Sequence, residues 1–189
     1  MNNIAIFASG SGTNAENLIL HFKGSKTAKV QILLSNKTDA FAIERARRNG
    51  VASLTFSPSE FRQTSLVMDA LERYEIDVIC LAGFLLLLPA ELVKKYEGRI
   101  VNIHPSLLPS YGGKGMYGDN VHKAVVAARE SETGITIHHV NEKFDDGDFI
   151  FQAKCIVEPT DDYKTVAQKV QQLEKEHFPK VVERFIEDL

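Results

Sequence analysis

Asn102 and His104 stand two residues apart in the run 100–104, just ahead of Pro105 and Pro109. Residues i and i+2 of a strand share a face. An amide and an imidazole are therefore expected side by side at a strand's carboxyl end. An amide N–H can stabilise a developing oxyanion, and an imidazole can take up a proton and return it. A strand-end Asn and His also serve as satisfied structural polar groups, and the residue types alone leave both roles open. Further on, Asp145 in Asp145-Asp146-Gly147-Asp148 offers a carboxylate that could pair with His104, raise its pKa and fix its tautomer. The same cluster reads equally as a solvated acidic turn. It lacks the ligand spacing and final Glu of a calcium loop.

Ser9-Gly10-Ser11-Gly12-Thr13-Asn14 follows a short apolar run and opens a helical pattern. Glycines let a backbone approach an anion closely, and the N–H groups at a helix start favour phosphate. No Lys follows Gly12, as a P-loop requires, and Ala15 stands at the third glycine position of G-x-G-x-x-G. The next strand end reads Ser35-Asn36-Lys37, without the acidic residue a dinucleotide site wants. Phosphate binding without a dinucleotide is the functional expectation, and a tight turn with no ligand is the alternative.

A metal centre is not expected. The histidines are at 21, 104, 122, 138, 139 and 177, and no H-x-x-x-H or C-x-x-C occurs. His138 and His139 are neighbours on a strand and point to opposite faces. His21, His139 and His177 read as surface or structural residues. Cys80 and Cys155 lie in apolar runs and read as buried thiols outside the chemistry.

The elements that must position these groups alternate along the chain. The continuous apolar run 4–8 fits a strand buried on both faces, and further strands are expected over 30–34, 52–56, 77–82 and 100–103. Helical patterns fill 13–23, 39–48 (capped by Asp39 and ended at Asn49-Gly50), 59–74 and the stretch after Pro89. An irregular Gly- and Pro-rich loop over 105–118 comes next, and loops of that length tend to be functional. A helix over 119–129, strands over 136–140 and 149–157, and a long amphipathic helix over 163–189 kinked at Pro179 complete the chain. This rhythm predicts an α/β fold, a doubly wound, mostly parallel sheet with helices on both faces, a C-terminal antiparallel strand region and a long C-terminal helix.

Composition narrows the classes. At 189 residues, one domain covering 1–189 is expected. With 22 Lys and Arg against 25 Asp and Glu, the net charge is −3, which argues against a dedicated nucleic-acid binder. The longest apolar run, 78–88, is too short to cross a bilayer. The first residues lack the basic and apolar regions of a secretory leader, so a cytoplasmic location is expected.

The glycine-rich start, Ser35-Asn36-Lys37, Leu81-Ala82-Gly83-Phe84, Asn102-Ile103-His104-Pro105-Ser106-Leu107-Leu108-Pro109 and Asp145-x-Gly147 run collinearly along the chain. In this it resembles the glycinamide ribonucleotide transformylase family of folate-dependent formyltransferases. The resemblance implies the formyltransferase fold, with a phosphate-binding half over about 1–100 and a folate and catalytic half over about 101–189. It implies 10-formyltetrahydrofolate as co-substrate, no metal, glycinamide ribonucleotide as acceptor, and a monomer or weak homodimer. It implies a catalytic trio of Asn102, protonated His104 and Asp145, with the amine proton passing to folate N10 through His104 or an ordered water. Gly12, Thr13 and Asn14 would hold the phosphate, and Gln171 and Glu174 would contact the ribonucleotide from one helix face. Arg62, Phe84, Leu85, Leu86, Leu88, Asn102 and the backbone near Asn141 would meet the folate; the leucine run also suits plain core packing. Leu86 stands where many members carry Arg, Asp146 replaces a family Gly, the 111–121 loop is longer, and His122 falls where a family His precedes the next helix.

The alternatives are a formyltetrahydrofolate hydrolase or another folate-dependent formyltransferase, such as one that modifies tRNA. A non-enzymatic nucleotide-binding module is the alternative from a different class. The first two would carry an extra regulatory or tRNA-binding domain. The third would bind phosphate at Gly12 without needing Asn102, His104 and Asp145 together.

Overall fold

The computed structural model describes residues 1–63 and 65–189. Its strands are β1 (Asn2–Phe7), β2 (Ala28–Ser35), β3 (Ala52–Thr55), β4 (Val78–Leu81), β5 (Ile100–His104), β6 (Glu132–His139) and β7 (Phe149–Ile156). Its helices are α1 (Thr13–His21), α2 (Phe41–Arg48), α3 (Pro58–Gln63), α4 (Ser65–Arg73), α5 (Ala90–Lys95), α6 (Asp119–Ala127) and α7 (Tyr163–Glu187). The strands form one sheet in the order β3-β2-β1-β4-β5-β6-β7. The first five are parallel, and β6 and β7 turn antiparallel.

The central strand shows why its sequence reads as a continuous apolar run. Ile4 and Ile6 join the apolar cluster beneath α1, α2, α6 and α7, while Ala5 and Phe7 join the cluster beneath α3, α4 and α5. Successive side chains point to opposite faces, so a strand covered on both sides has no polar face to show. The chain winds outward from β1 to β3, then restarts at β4 and winds the other way. Between β1 and β4 lies the switch point, whose carboxyl ends form a crevice suited to ligands.

Local departures from expectation have local causes. Asp39 does not cap α2. Ala40 is the N-cap, without a side-chain bond, and the Ala42 N–H donates to Gly10 O at 3.1 Å. The start of α2 is therefore held by the glycine-rich loop. The expected helix over 59–74 corresponds to α3 and α4, and residue 64 lies outside the described residues. β6 begins four residues before the expected 136, because Gly134 lets β7 approach closely. A Cβ there would meet Ala153 O at 1.9 Å. Of the leucine-rich run, only 78–81 is strand; the rest turns around Gly83 at φ 73°.

The helix α7 continues through Pro179. Proline has no N–H for the carbonyl four residues back. That carbonyl, Lys175 O, instead accepts Nδ2–H of Asn17 on α1 at 2.9 Å. Cys80 is fully buried, and burial pushes its thiol up to about 12. Cys155, expected buried, is half-exposed on β7. Among the described residues no helix is long and apolar enough to cross a membrane.

Candidate functional site

At the end of β1, Ser9 ties three distant segments together. Its N–H donates to Gly83 O at 3.0 Å, its hydroxyl donates to Asn36 Oδ1 at 2.5 Å, and its Oγ accepts the Leu85 N–H at 3.0 Å. The glycine-rich, Ser-Asn-Lys and Leu-Ala-Gly-Phe segments thus meet at one hydroxyl, itself 2% exposed. The chain then turns into α1 through Gly12 at φ 74°. A side chain there would lie 2.5 Å from Ala42 Cα, so glycine is required twice over. Gly12 is the N-cap and makes no side-chain cap, which leaves the first N–H groups of α1 suited to an anion. Asn14 hydrogen-bonds the Glu174 carboxyl on α7, and burial pushes that carboxyl up to about 7.

The second group is built by the β5–β6 ladder. Its register sets Asn102 opposite His138 and His104 opposite Thr136. Asn102 Nδ2 lies 3.0 Å from His138 Nε2 and 3.4 Å from Asp145 Oδ1. His138 Nδ1 lies 2.7 Å from the His139 carbonyl, which can only accept, so Nδ1 carries the proton and Nε2 is the acceptor. Two acceptors thus face the Asn102 nitrogen and fix which way the amide points. Asp145 Oδ1 lies 3.5 Å from His104 Nδ1 and 3.6 Å from His138 Nε2. Asp145 Oδ2 accepts the Gly113 N–H at 2.8 Å, and His104 Nε2 donates to Tyr111 O at 2.8 Å. The 105–118 loop is therefore bound to both His104 and Asp145. Thr136 anchors its first part: its hydroxyl donates to Ser106 O at 2.7 Å and accepts from Leu108 N at 2.9 Å.

Electrostatically the pair differs from the expected one. Burial lowers His104 and outweighs the upward pull of Asp145 and of the Tyr111 carbonyl, so the expected net rise does not occur. Burial pushes Asp145 upward, but the His138 and His104 imidazoles, which favour its charge when they carry their own, and the Gly113 N–H hold it below the usual carboxylate range. At neutral pH these shifts favour a neutral imidazole facing an ionised carboxylate. His104 is thus arranged to gain stabilisation when it becomes charged.

These groups line one cavity of about 620 Å³. Gly12, Thr13, Asn14, Gln171 and Glu174 line it together with Asn102, His104 and Asp145. An adjoining recess of about 50 Å³ is lined by Leu86, Leu88, Val140 and Asn141 and shares Phe84, Asn102, Phe144 and Asp145 with the larger one. Phe84 and Leu85 line the larger cavity. Leu88 is 5% exposed and belongs mainly to the core. Arg62, on α3, lines neither space. Asp146 binds its own loop: Asn141 Nδ2 donates to it at 3.2 Å, and Lys143 lies 3.7 Å away.

Two residues of the site were not among the expected site residues, although His122 stands where the resembling family has a His. His138 enters through the antiparallel register, and only the alternation of His138 and His139 across the sheet hinted that one of them points inward. His122 is 4% exposed, lines the larger cavity, and its Nδ1 has no hydrogen-bond partner among the described residues. His21 pairs with Glu183 on the surface, and His139 and His177 pack edge-on or tilted against Phe185 and Phe151. Among the described residues no cluster of His, Cys, Asp or Glu could hold a metal ion.

Comparison with known proteins gives consistent findings. The family described as formyl transferase matches residues 2–182. The phosphoribosylglycinamide formyltransferase of Haemophilus influenzae is 33% identical over 192 residues, spanning 99% of this chain and 88% of the relative. The chloroplastic enzyme of the same name from Arabidopsis thaliana is 41% identical over 180 residues, 92% of this chain, and this chain spans 61% of that relative's length. The same share, 61%, holds for the relative from Vigna unguiculata. Among solved structures, glycinamide ribonucleotide transformylase 1 from Geobacillus kaustophilus superposes with a TM-score of 0.89 at 36% identity, covering 98% of this chain and 99% of that one.

Proposed function

This chain belongs to the formyl transferase family, and from that premise we propose that it transfers the formyl group of 10-formyltetrahydrofolate to the amine of glycinamide ribonucleotide, as a step of purine (IMP) biosynthesis. The products are formylglycinamide ribonucleotide and tetrahydrofolate. The observation that carries the reading is the position of Asn102, His104 and Asp145 along one cavity. The glycine-rich start of α1 borders the same cavity, and the adjoining apolar recess shares Asn102 and Asp145 with it. Relatives and solved structures bearing the names of this activity support it.

The chemistry follows from the side chains. The amine nitrogen attacks the formyl carbon, and the carbonyl oxygen gains negative charge. Asn102 Nδ2 carries a second N–H besides the one directed at His138; it faces Asp145 Oδ1 at 3.4 Å and turns to donate to the oxyanion. His104, neutral at rest, accepts the proton leaving the amine. The imidazolium so formed is stabilised by Asp145 at 3.5 Å. When the bond from the formyl carbon to N10 breaks, His104 returns the proton to N10, directly or through a water. One C–N bond forms, one breaks, and one proton crosses. His104 Nε2 now donates to Tyr111 O, so it accepts the amine proton only after its own proton has moved to Nδ1, which faces Asp145; the Tyr111 contact is then given up and the 105–118 loop moves as substrate enters.

In this reading Gly12, Thr13 and Asn14 hold the phosphate, and Gln171 and Glu174 bind the ribose. The pterin lies against Phe84, Leu85, Leu86 and Leu88 and the backbone after Asn141. The whole chain acts as a single formyl-transfer domain, located in the cytoplasm as a monomer or weak homodimer.

Release of tetrahydrofolate on mixing the protein with both substrates tests the proposal. Release without the ribonucleotide would indicate a hydrolase instead. No release with both substrates present would sink the enzymatic reading.

A further inference from the structure

An anion-binding loop works only if its N–H groups face the ligand, which turns its carbonyl groups the other way. Those carbonyls need partners outside the cavity. Gly10 O accepts the Ala42 N–H at 3.1 Å, and Gly12 O accepts the Glu16 N–H at 2.9 Å within α1. Between them, Ser11 O is held by a side chain: Nε–H of Arg45, on α2, donates to it at 2.8 Å. The far side of the same guanidinium pairs with Glu16, in the first turn of α1, and the group lies 5.0 Å from the ring centre of Phe41.

Glu16 gives Arg45 a second task. An acidic side chain in the first turn of a helix favours the helix but repels an anion bound at the same end. Arg45 neutralises that charge where the repulsion would act. The guanidinium is about a fifth exposed and does not line the cavity, so it reaches a ligand only through the loop.

We propose that Arg45 is a positioning residue for the phosphate of the ribonucleotide: it fixes the Ser11 peptide so that the loop N–H groups point into the cavity, and it cancels the charge of Glu16. The inference rests on the reading of this loop as the phosphate site and deepens it. Lysine is a poor substitute, because one ammonium cannot reproduce the planar fork that spans Ser11 O and Glu16 while stacking on Phe41.

The experiment compares wild type, Arg45→Met, Arg45→Gln and Arg45→Met/Glu16→Gln. It measures binding of ribose 5-phosphate by calorimetry and steady-state kinetics with both substrates. For Arg45→Met, loss of a charge-assisted tether predicts a rise of about tenfold in Kd for ribose 5-phosphate and in KM for the ribonucleotide. In the same variant kcat at saturating ribonucleotide and KM for the folate are expected to stay within about twofold. Arg45→Gln keeps a donor for Ser11 O without the charge and is expected to fall between the two. Glu16→Gln is expected to restore part of the affinity lost in Arg45→Met. Unchanged ribose 5-phosphate affinity in both Arg45 variants would overturn the proposal, as would an equal loss in kcat and both KM values. Wild type that binds ribose 5-phosphate but transfers no formyl group would overturn the proposed reaction alone. The brace would then still stand on the binding data.

Discussion

Asn102 Nδ2 lies 3.0 Å from Nε2 of His138, directly across the β5–β6 ladder. The contact occupies one amide hydrogen, and the other faces Asp145 Oδ1 at 3.4 Å, a long contact that an oxyanion in the cavity can replace. Removing one oxyanion donor costs on the order of 10²–10³ in kcat, so Asn102→Ala is expected to fall in that range. His138→Ala keeps the donor but frees the amide to rotate, and a fall of about tenfold in kcat with ribonucleotide KM unchanged is expected. Steady-state kinetics on the two variants checks this; a His138→Ala enzyme with wild-type kcat would remove His138 from the site.

Asp145 pulls the His104 pKa upward against the stronger effect of burial. In Asp145→Asn that pull is gone, and the His104 pKa falls further. Protonated His104 cannot accept the amine proton, so kcat declines as pH drops through this pKa. The acid limb of the kcat–pH profile is therefore expected to move to lower pH. The plateau is expected to fall as well, because the imidazolium intermediate loses its counter-charge. An acid limb that stays in place, or moves to higher pH, would exclude the coupling.

Glu174 titrates at about 7 in the folded protein, against 4.5 for the free side chain, because it is buried. Between those values the folded state binds more protons than the unfolded one, so stability falls as pH rises from 4.5 through about 7. Glu174→Gln removes the buried charge and keeps a partner for Asn14. It is expected to be more stable than wild type by up to about 3 kcal/mol above neutral pH, and equal to it below the ordinary carboxylate pKa. Thermal melts at acid and alkaline pH check this, and a difference that does not depend on pH would contradict it. The variant is also expected to bind the ribonucleotide more weakly, a cost separate from stability.

Asn17 serves the Lys175 carbonyl that Pro179 leaves without its helical donor. Asn17→Ala is expected to cost about 1 kcal/mol, and the cost should shrink in a Pro179→Ala background, where an N–H is restored. A double-mutant cycle by denaturant unfolding measures the coupling. Strict additivity would mean that the two residues act independently.

The windings of the sheet were legible because a strand covered on both faces must be apolar throughout, as residues 4–8 and 78–82 are. The glycine-rich turn was legible because only glycine fits both the φ of Gly12 and its contact with Ala42. Element ends were less so. The first residues of β6 are Glu, Thr and Gly, which carry no strand pattern, and the space under Gly134 is created by β7 from elsewhere in the chain. Asp39 has the chemistry of a cap, but α2 starts where the Gly10 carbonyl holds Ala42.

For the site, the sequence by itself determined which groups could do chemistry: an amide and an imidazole on one strand face, a carboxylate in a turn, and a glycine-rich helix start. These follow from residue type and from spacings of one to a few residues, which local geometry converts directly into position. The tertiary structure alone decided their partners and their charge. His138 meets Asn102 only through an antiparallel register, and Ser9 joins three loops only because β1 and β4 are neighbours. Arg45 reaches Ser11 only because α2 packs beside α1. The downward shift of His104 depends on how much protein surrounds it, and the Asp145 carboxylate opposes that shift without cancelling it. Burial and pairing are sums over contacts between distant residues, so they exist only once the chain has folded.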